Sequence, residues 1–187
     1  MTGWVRETWL GAVLHLAVKM VALTVVIITA VQLAAVMAGE APAYVHYERA
    51  DDALAAGDVV RALRHWQEGY AAAVGSRRWE GLVEAGDLYR RIGARGRFEG
   101  ALRARDCYLL ALVRARGERS LDGVLRATEA FLDLGDAEPV ERGLEIAREL
   151  AARDADPRAR ERIERLAARW AARAGRAGAG ASAETPR

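Results

Sequence analysis

The three histidines are the first residues to test for chemistry, because an imidazole ligates metals and moves protons near neutral pH. His15, His46 and His65 lie far apart in the chain, and none is read as pairing with another His, a Cys or a Glu at a metal-ligand spacing. No metal site is expected. Ser76, Ser120 and Ser182 are the only serines, none sits in a Gly-x-Ser-x-Gly turn, and the first two are placed to cap helices. Gly93, Gly96 and Gly100 lack both the spacing and the lysine of a phosphate loop. Asp51 and Asp52, adjacent on a helix, diverge by about 100° and cannot act as a carboxylate pair. Cys107 stands alone, which excludes an internal disulfide and a Cys-based zinc site, and it reads as a small buried apolar residue. No catalysis, cofactor or small-molecule substrate is therefore expected. Gly11, one turn before His15, leaves room beside that imidazole of the kind that haem- or pigment-binding helices use, but His15 reads first as an interfacial residue.

The element that positions the rest is a long apolar stretch. From Leu10 to Ala38 the only strongly polar residues are His15, Lys19 and Gln32. The cleanest span is 20–38, 19 residues long, and at a rise of about 1.5 Å per residue it matches a hydrocarbon core of roughly 30 Å. A cleavable signal ending at Val36-Met37-Ala38 or Ala41-Pro42-Ala43 is the alternative, but the apolar run is about twice the usual hydrophobic region, which favours a retained anchor. Residues 1–19 then form an interfacial helix, with Trp4 and Trp9 at headgroup depth. On one continuous helix, Gly11, Ala12, His15, Lys19, Ala22 and Thr29 share a stripe that suits packing against another transmembrane helix. A snorkelling Lys19 among incidental small residues explains it equally well. Arg6 and Lys19 precede the span, and only Arg49 is basic in the 20 residues beyond it. The expected orientation is N-terminus in the cytoplasm and helical domain on the periplasmic side of a bacterial inner membrane.

After Pro42 the pattern is helix after helix, with no alternating strand signal. Gly57, Gly75, Gly93, Gly117 and Gly135 each follow an apolar-periodic run, as left-handed helix-ending residues do. Asp58, Ser76, Ser120, Asp136 and Asp156-Pro157 stand where the next helices would begin. The run Gly57 to Tyr70, with Ala62, Trp66 and Gly69, resembles the centre of a tetratricopeptide repeat. A second copy resembles Ala85-Gly86-Asp87-Leu88-Tyr89 with Ala104, Tyr108, Ala111 and Leu112, interrupted by an insertion from Ala94 to about Gly100. A third spans Leu121 to about Asp154, with Phe131, Leu144 and Ala147, and Val140 in place of the usual small residue. The expected fold class is all-α: one transmembrane helix, an α-solenoid of about three such hairpins over 39–174 closed by a capping helix from Pro157, and a disordered tail over 175–187.

The resemblance implies a concave groove lined by the first helix of each hairpin. It places Asp51, Asp87 and Glu129 there, with Tyr44, Tyr47, Glu80, Asp122 and Asp133 nearby, so a basic or aromatic-rich protein segment is the expected ligand. Charge runs in blocks: −4 over 40–88, +6 over 89–126, −6 over 127–156 and +5 beyond. Such blocks attract one another along a stack. Alternatively, Arg90, Arg91, Arg95, Arg97, Arg103 and Arg105 form a basic patch for anionic lipid or an acidic protein. Because 27 of 28 basic residues are Arg and Asn is absent, the Arg count reads as codon bias, and nucleic acid is not an expected partner. The expected function is a non-enzymatic, membrane-anchored scaffold or assembly factor that holds a protein partner at the membrane surface. The alternative is a permanent accessory subunit of a bioenergetic or pigment- or haem-containing membrane complex, docked through its transmembrane helix.

Overall fold

The computed structural model describes residues 42–154 and 157–183. The chain divides into Met1–Glu40 and Ala41–Arg187, and the description below concerns the second unit alone. The expected span 20–38 and its stripe of Gly11, Ala12, His15, Lys19, Ala22 and Thr29 lie outside the described residues. Among the described residues no helix is long and apolar enough to cross a membrane.

The described residues are all-α, with seven helices and no strand: α1 Ala43–Ala55, α2 Val59–Ser76, α3 Glu80–Gly96, α4 Ala101–Gly117, α5 Leu121–Leu134, α6 Ala137–Asp154 and α7 Pro157–Ala183. Each helix packs on the next, and α1–α3, α3–α5, α5–α7 and α4–α6 also touch, so alternate helices lie side by side. The even-numbered helices carry the spacing that binds each to its neighbours. Ala62, Trp66 and Gly69 on α2, Ala104, Tyr108 and Ala111 on α4, and Val140, Leu144 and Ala147 on α6 repeat one interval pattern and are all buried. Of the small members, Gly69 sets an approach distance, since a Cβ there would run into the Tyr47 ring, and glycines of the odd-numbered helices do the same. At Gly86 a Cβ would run into the Tyr108 ring, and at Gly123 it would lie 2.7 Å from the Trp79 indole. Trp66 donates its indole N–H to the Ala85 carbonyl at 2.8 Å, and Tyr108 meets Phe131 edge-on at 5.8 Å. One core cluster centres on Trp66, and a larger one runs from Leu82 and Tyr108 through Phe131 to Ile163.

Several helix ends follow the expected chemistry. Gly57 and Gly135 adopt φ +81° and +78°, and Asp58 and Ser120 accept hydrogen bonds from the N–H groups of Arg61 and Gly123. Gly75 and Gly93 do not stop their helices. α2 runs through Gly75 to Ser76, α3 through Gly93 to Gly96, and the left-handed residues that follow are Arg77 and Arg97; Gly117 likewise stays within α4, and Arg119 beyond it is the left-handed residue. Ser76 therefore ends α2 instead of opening a helix, its hydroxyl donating to the Ala73 carbonyl at 2.9 Å. The helix ignores Gly75 because its last carbonyls are satisfied from elsewhere. The Arg114 guanidinium of α4 donates to the Ala73 carbonyl at 2.9 Å and the Val74 carbonyl at 2.8 Å. At Gly93 the reason is close approach, since a Cβ there would lie 3.0 Å from the Phe98 carbonyl oxygen and 3.1 Å from the Gly100 Cα. The expected insertion 94–100 is thus the last turn of α3 followed by a short loop. At the other end, α7 continues to Ala183 through an alanine-rich run with no proline to end it, past the expected limit at 174.

Candidate interaction groove

The odd-numbered helices α1, α3, α5 and α7 together wall a series of depressions. Tyr44, Glu48, Asp51, Glu84, Asp87 and Arg91 surround one of about 280 Å³ between α1 and α3. A second, of about 750 Å³, lies between α3 and α5, with Arg90, Arg126 and Asp133 in its wall. The third, of about 410 Å³, lies between α5 and α7 and is bounded by Asp122, Glu129 and four arginines. Helical periodicity places these side chains together: Asp87, Arg91 and Ala94 recur at three- and four-residue steps, as do Asp122, Arg126 and Glu129.

The expected acids do share this face, but they do not stand unopposed. Asp51 receives the Arg91 guanidinium at 2.9 Å, Asp87 that of Arg126, Asp122 that of Arg162 at 2.6 Å, and Glu129 that of Arg169. Each acid lies on one odd-numbered helix and its arginine on the next, 39 or 40 residues later. The even-numbered side has its own ties, Arg105 with Asp136 and Arg116 with Glu149. The alternating charge blocks thus meet along the stack. The remaining expected residues are spread more widely. Tyr44 is exposed, whereas Tyr47 is buried and donates its hydroxyl to the Gly81 carbonyl at 2.9 Å, burial raising its pKa. Glu80 pairs with Arg78 on the first turn of α3 and walls none of these depressions. The six-arginine patch is dispersed: Arg90, Arg91 and Arg95 line the groove, Arg97 is the left-handed residue after α3, Arg103 is exposed on α4, and Arg105 is tied to Asp136.

Sequence reading passed over the groove's own arginines, Arg126, Arg162, Arg165 and Arg169, and the acids Glu48 and Glu84. The recurrence of Arg at 39 or 40 residues after an acid was the available signal. The result is a groove graded along its length. Its α1–α3 end holds four carboxylates and one arginine, and its α5–α7 end four arginines and two carboxylates. Glu84 makes no ion pair among the described residues, and burial, with Asp87 and Glu80 nearby, raises its pKa. Cys107 is buried in the core, its thiol pushed up to about 12 by desolvation, so it is not a nucleophile at neutral pH. No protein-family model matches the chain, and none of the curated proteins matches it.

Proposed function

We propose that this chain is a non-enzymatic, membrane-anchored scaffold whose graded groove holds an extended segment of a protein partner. The apolar stretch 20–38 is the anchor, the N-terminus lies in the cytoplasm, and α1–α2, α3–α4 and α5–α6 are three tetratricopeptide-like hairpins with α7 as their cap. The recurring buried trios on α2, α4 and α6 support the hairpin register. The observation that carries the reading is the charge gradient from carboxylate-rich to arginine-rich along one face. A partner segment with a basic end and an acidic end lies on it in one direction only, because the reverse direction sets like charges against each other. The basic ligand expected from the acids alone is thus confined to the α1–α3 end.

The alternative, a permanent subunit of a membrane complex, draws on the other side of the molecule. Val60 of α2 and Leu102 and Val113 of α4 are exposed at 71%, 71% and 67%, apolar surface suited to a lasting contact. A photo-crosslinking residue at Tyr44 or at Val113, in the full-length protein in cells, separates the two. The scaffold reading expects a protein crosslink from Tyr44 that is lost when Glu48 and Glu84 are replaced by Gln. Crosslinks from Val113 alone, to a constant set of proteins, would overturn it in favour of the subunit.

A further inference from the structure

Outside the groove, the first hairpin gathers His46 of α1 with His65 and Glu68 of α2, side chains that sequence reading had set apart. Nδ1 of His46 and Nδ1 of His65 lie 3.1 and 3.0 Å from the same Glu68 Oε2, and each of the three residues offers one ligand atom within 4.8 Å of the other two. Two local features bring them together. His65 and Glu68 are three residues apart on one helix and so share a face. Gly69 then lets α1 approach: a Cβ there would sit 3.1 Å from the His46 Cβ. None of the three residues lines the groove depressions.

Two imidazole nitrogens and one carboxylate oxygen are the donor set of a borderline divalent cation, and thiolates are not required for it. At metal–ligand distances of about 2.0–2.2 Å, a tetrahedral ion sets its donors roughly 3.3–3.6 Å apart. The His46–Glu68 and His65–Glu68 separations of 3.1 and 3.0 Å come within a few tenths of an ångström of the lower end of that range. The imidazoles are shielded, with side-chain exposures of 15% and 22%, while Glu68 is open at 43%. Three protein donors on a site open to one side leave a coordination position for water or for a donor from another molecule.

We propose that His46, His65 and Glu68 bind one divalent cation of the Zn2+ class. The ion ties α1 to α2 at the start of the helical unit, where α1 has no preceding described helix to pack against. The competing arrangement is a carboxylate that accepts a hydrogen bond from each imidazole and takes no metal.

The test uses the full-length protein in detergent without a polyhistidine tag, dialysed against ZnCl2 and assayed for bound metal, with CoCl2 as a spectroscopic probe. The expected result is one ion per chain and visible Co2+ d–d bands stronger than those of the aqueous ion. His65→Ala and Glu68→Gln should each weaken binding by more than the roughly 10- to 100-fold that loss of an outer-shell partner costs. His15→Ala should leave binding unchanged. Far-ultraviolet circular dichroism confirms the fold of each variant, and Glu68→Gln, isosteric and at an open position, keeps the test valid if His65→Ala unfolds. A wild-type protein that retains no Zn2+, binding that survives Glu68→Gln, or loss of binding in His15→Ala overturns the proposal.

Discussion

Asp87 of α3 joins the groove to the core: one carboxylate oxygen accepts the Tyr108 hydroxyl at 2.6 Å, and the other meets the Arg126 guanidinium of α5. Tyr108 is fully buried, and burial first, then the contact with Asp87, raises its pKa, so the hydroxyl stays protonated as a donor. Asp51 has only its exposed pair with Arg91. Removing Asp87 together with Asp51 and Glu129 therefore does not leave the fold untouched, as it would if each were a free surface charge.

The first prediction follows from that contrast. Asp87→Ala leaves the Tyr108 hydroxyl without its acceptor and should cost about 1–3 kcal/mol. Asp51→Ala removes only an exposed pair and should cost less than about 1 kcal/mol. Urea unfolding of the two variants measures both. Equal losses would mean that Asp87 acts as one more surface ion pair.

A second prediction concerns two glycines that sit in helices for different reasons. Nothing lies within 4 Å of a Cβ at Gly75, so Gly75→Ala should stabilise α2 by roughly 0.5–1 kcal/mol through helix propensity. At Gly86 the same methyl meets the Tyr108 ring, and Gly86→Ala should destabilise by about 1–3 kcal/mol through overpacking. Thermal melts of opposite sign are the expected readout, and a stabilising Gly86→Ala would displace Tyr108 from the position described.

The third prediction is a pH dependence. Burial, aided by Asp87 and Glu80, raises the Glu84 carboxyl above its ordinary 4.5, so the folded chain holds that proton more tightly than the unfolded chain does. The group's stabilising contribution is complete below the unfolded value and is lost as pH rises through the higher folded one. Glu84→Gln should accordingly raise Tm relative to wild type at pH 7, with the difference shrinking as pH falls toward 4. A variant that melts at or below wild type at pH 7 would show that Glu84 is not held against its charge.

Local chemistry made the helices and several of their ends legible. Gly57-Asp58 and Ser120 carry their turn and capping chemistry within a few residues, and the trio Ala62, Trp66 and Gly69 announces a buried face by spacing alone. Gly75 misled because what satisfies the α2 terminus is Arg114, about 40 residues away. The same distance hid the pairing of the groove acids, although the interval from Asp51 to Arg91 recurs from Asp122 to Arg162 and from Glu129 to Arg169. His65 and Glu68 were already one helical turn apart; what no local pattern supplies is His46, which the hairpin carries in from α1.

The cross-helix ion pairs also bear on how the molecule deforms. Four of those described join alternate helices on the groove face and two lie on the even-numbered side, so the ties are denser on the groove side of the stack, while side-chain packing resists on every side. Prising the groove open stretches four ties, whereas bending the other way stretches two, so the two directions differ in stiffness. Packed side chains respond to dissolved ions only weakly at moderate concentrations of a salt such as NaCl, but charge pairs this exposed are screened over about 8 Å at physiological ionic strength. Raising salt should thus soften opening while leaving the melting of the interior nearly unchanged, which makes the groove a spring whose constant is set by the surrounding electrolyte.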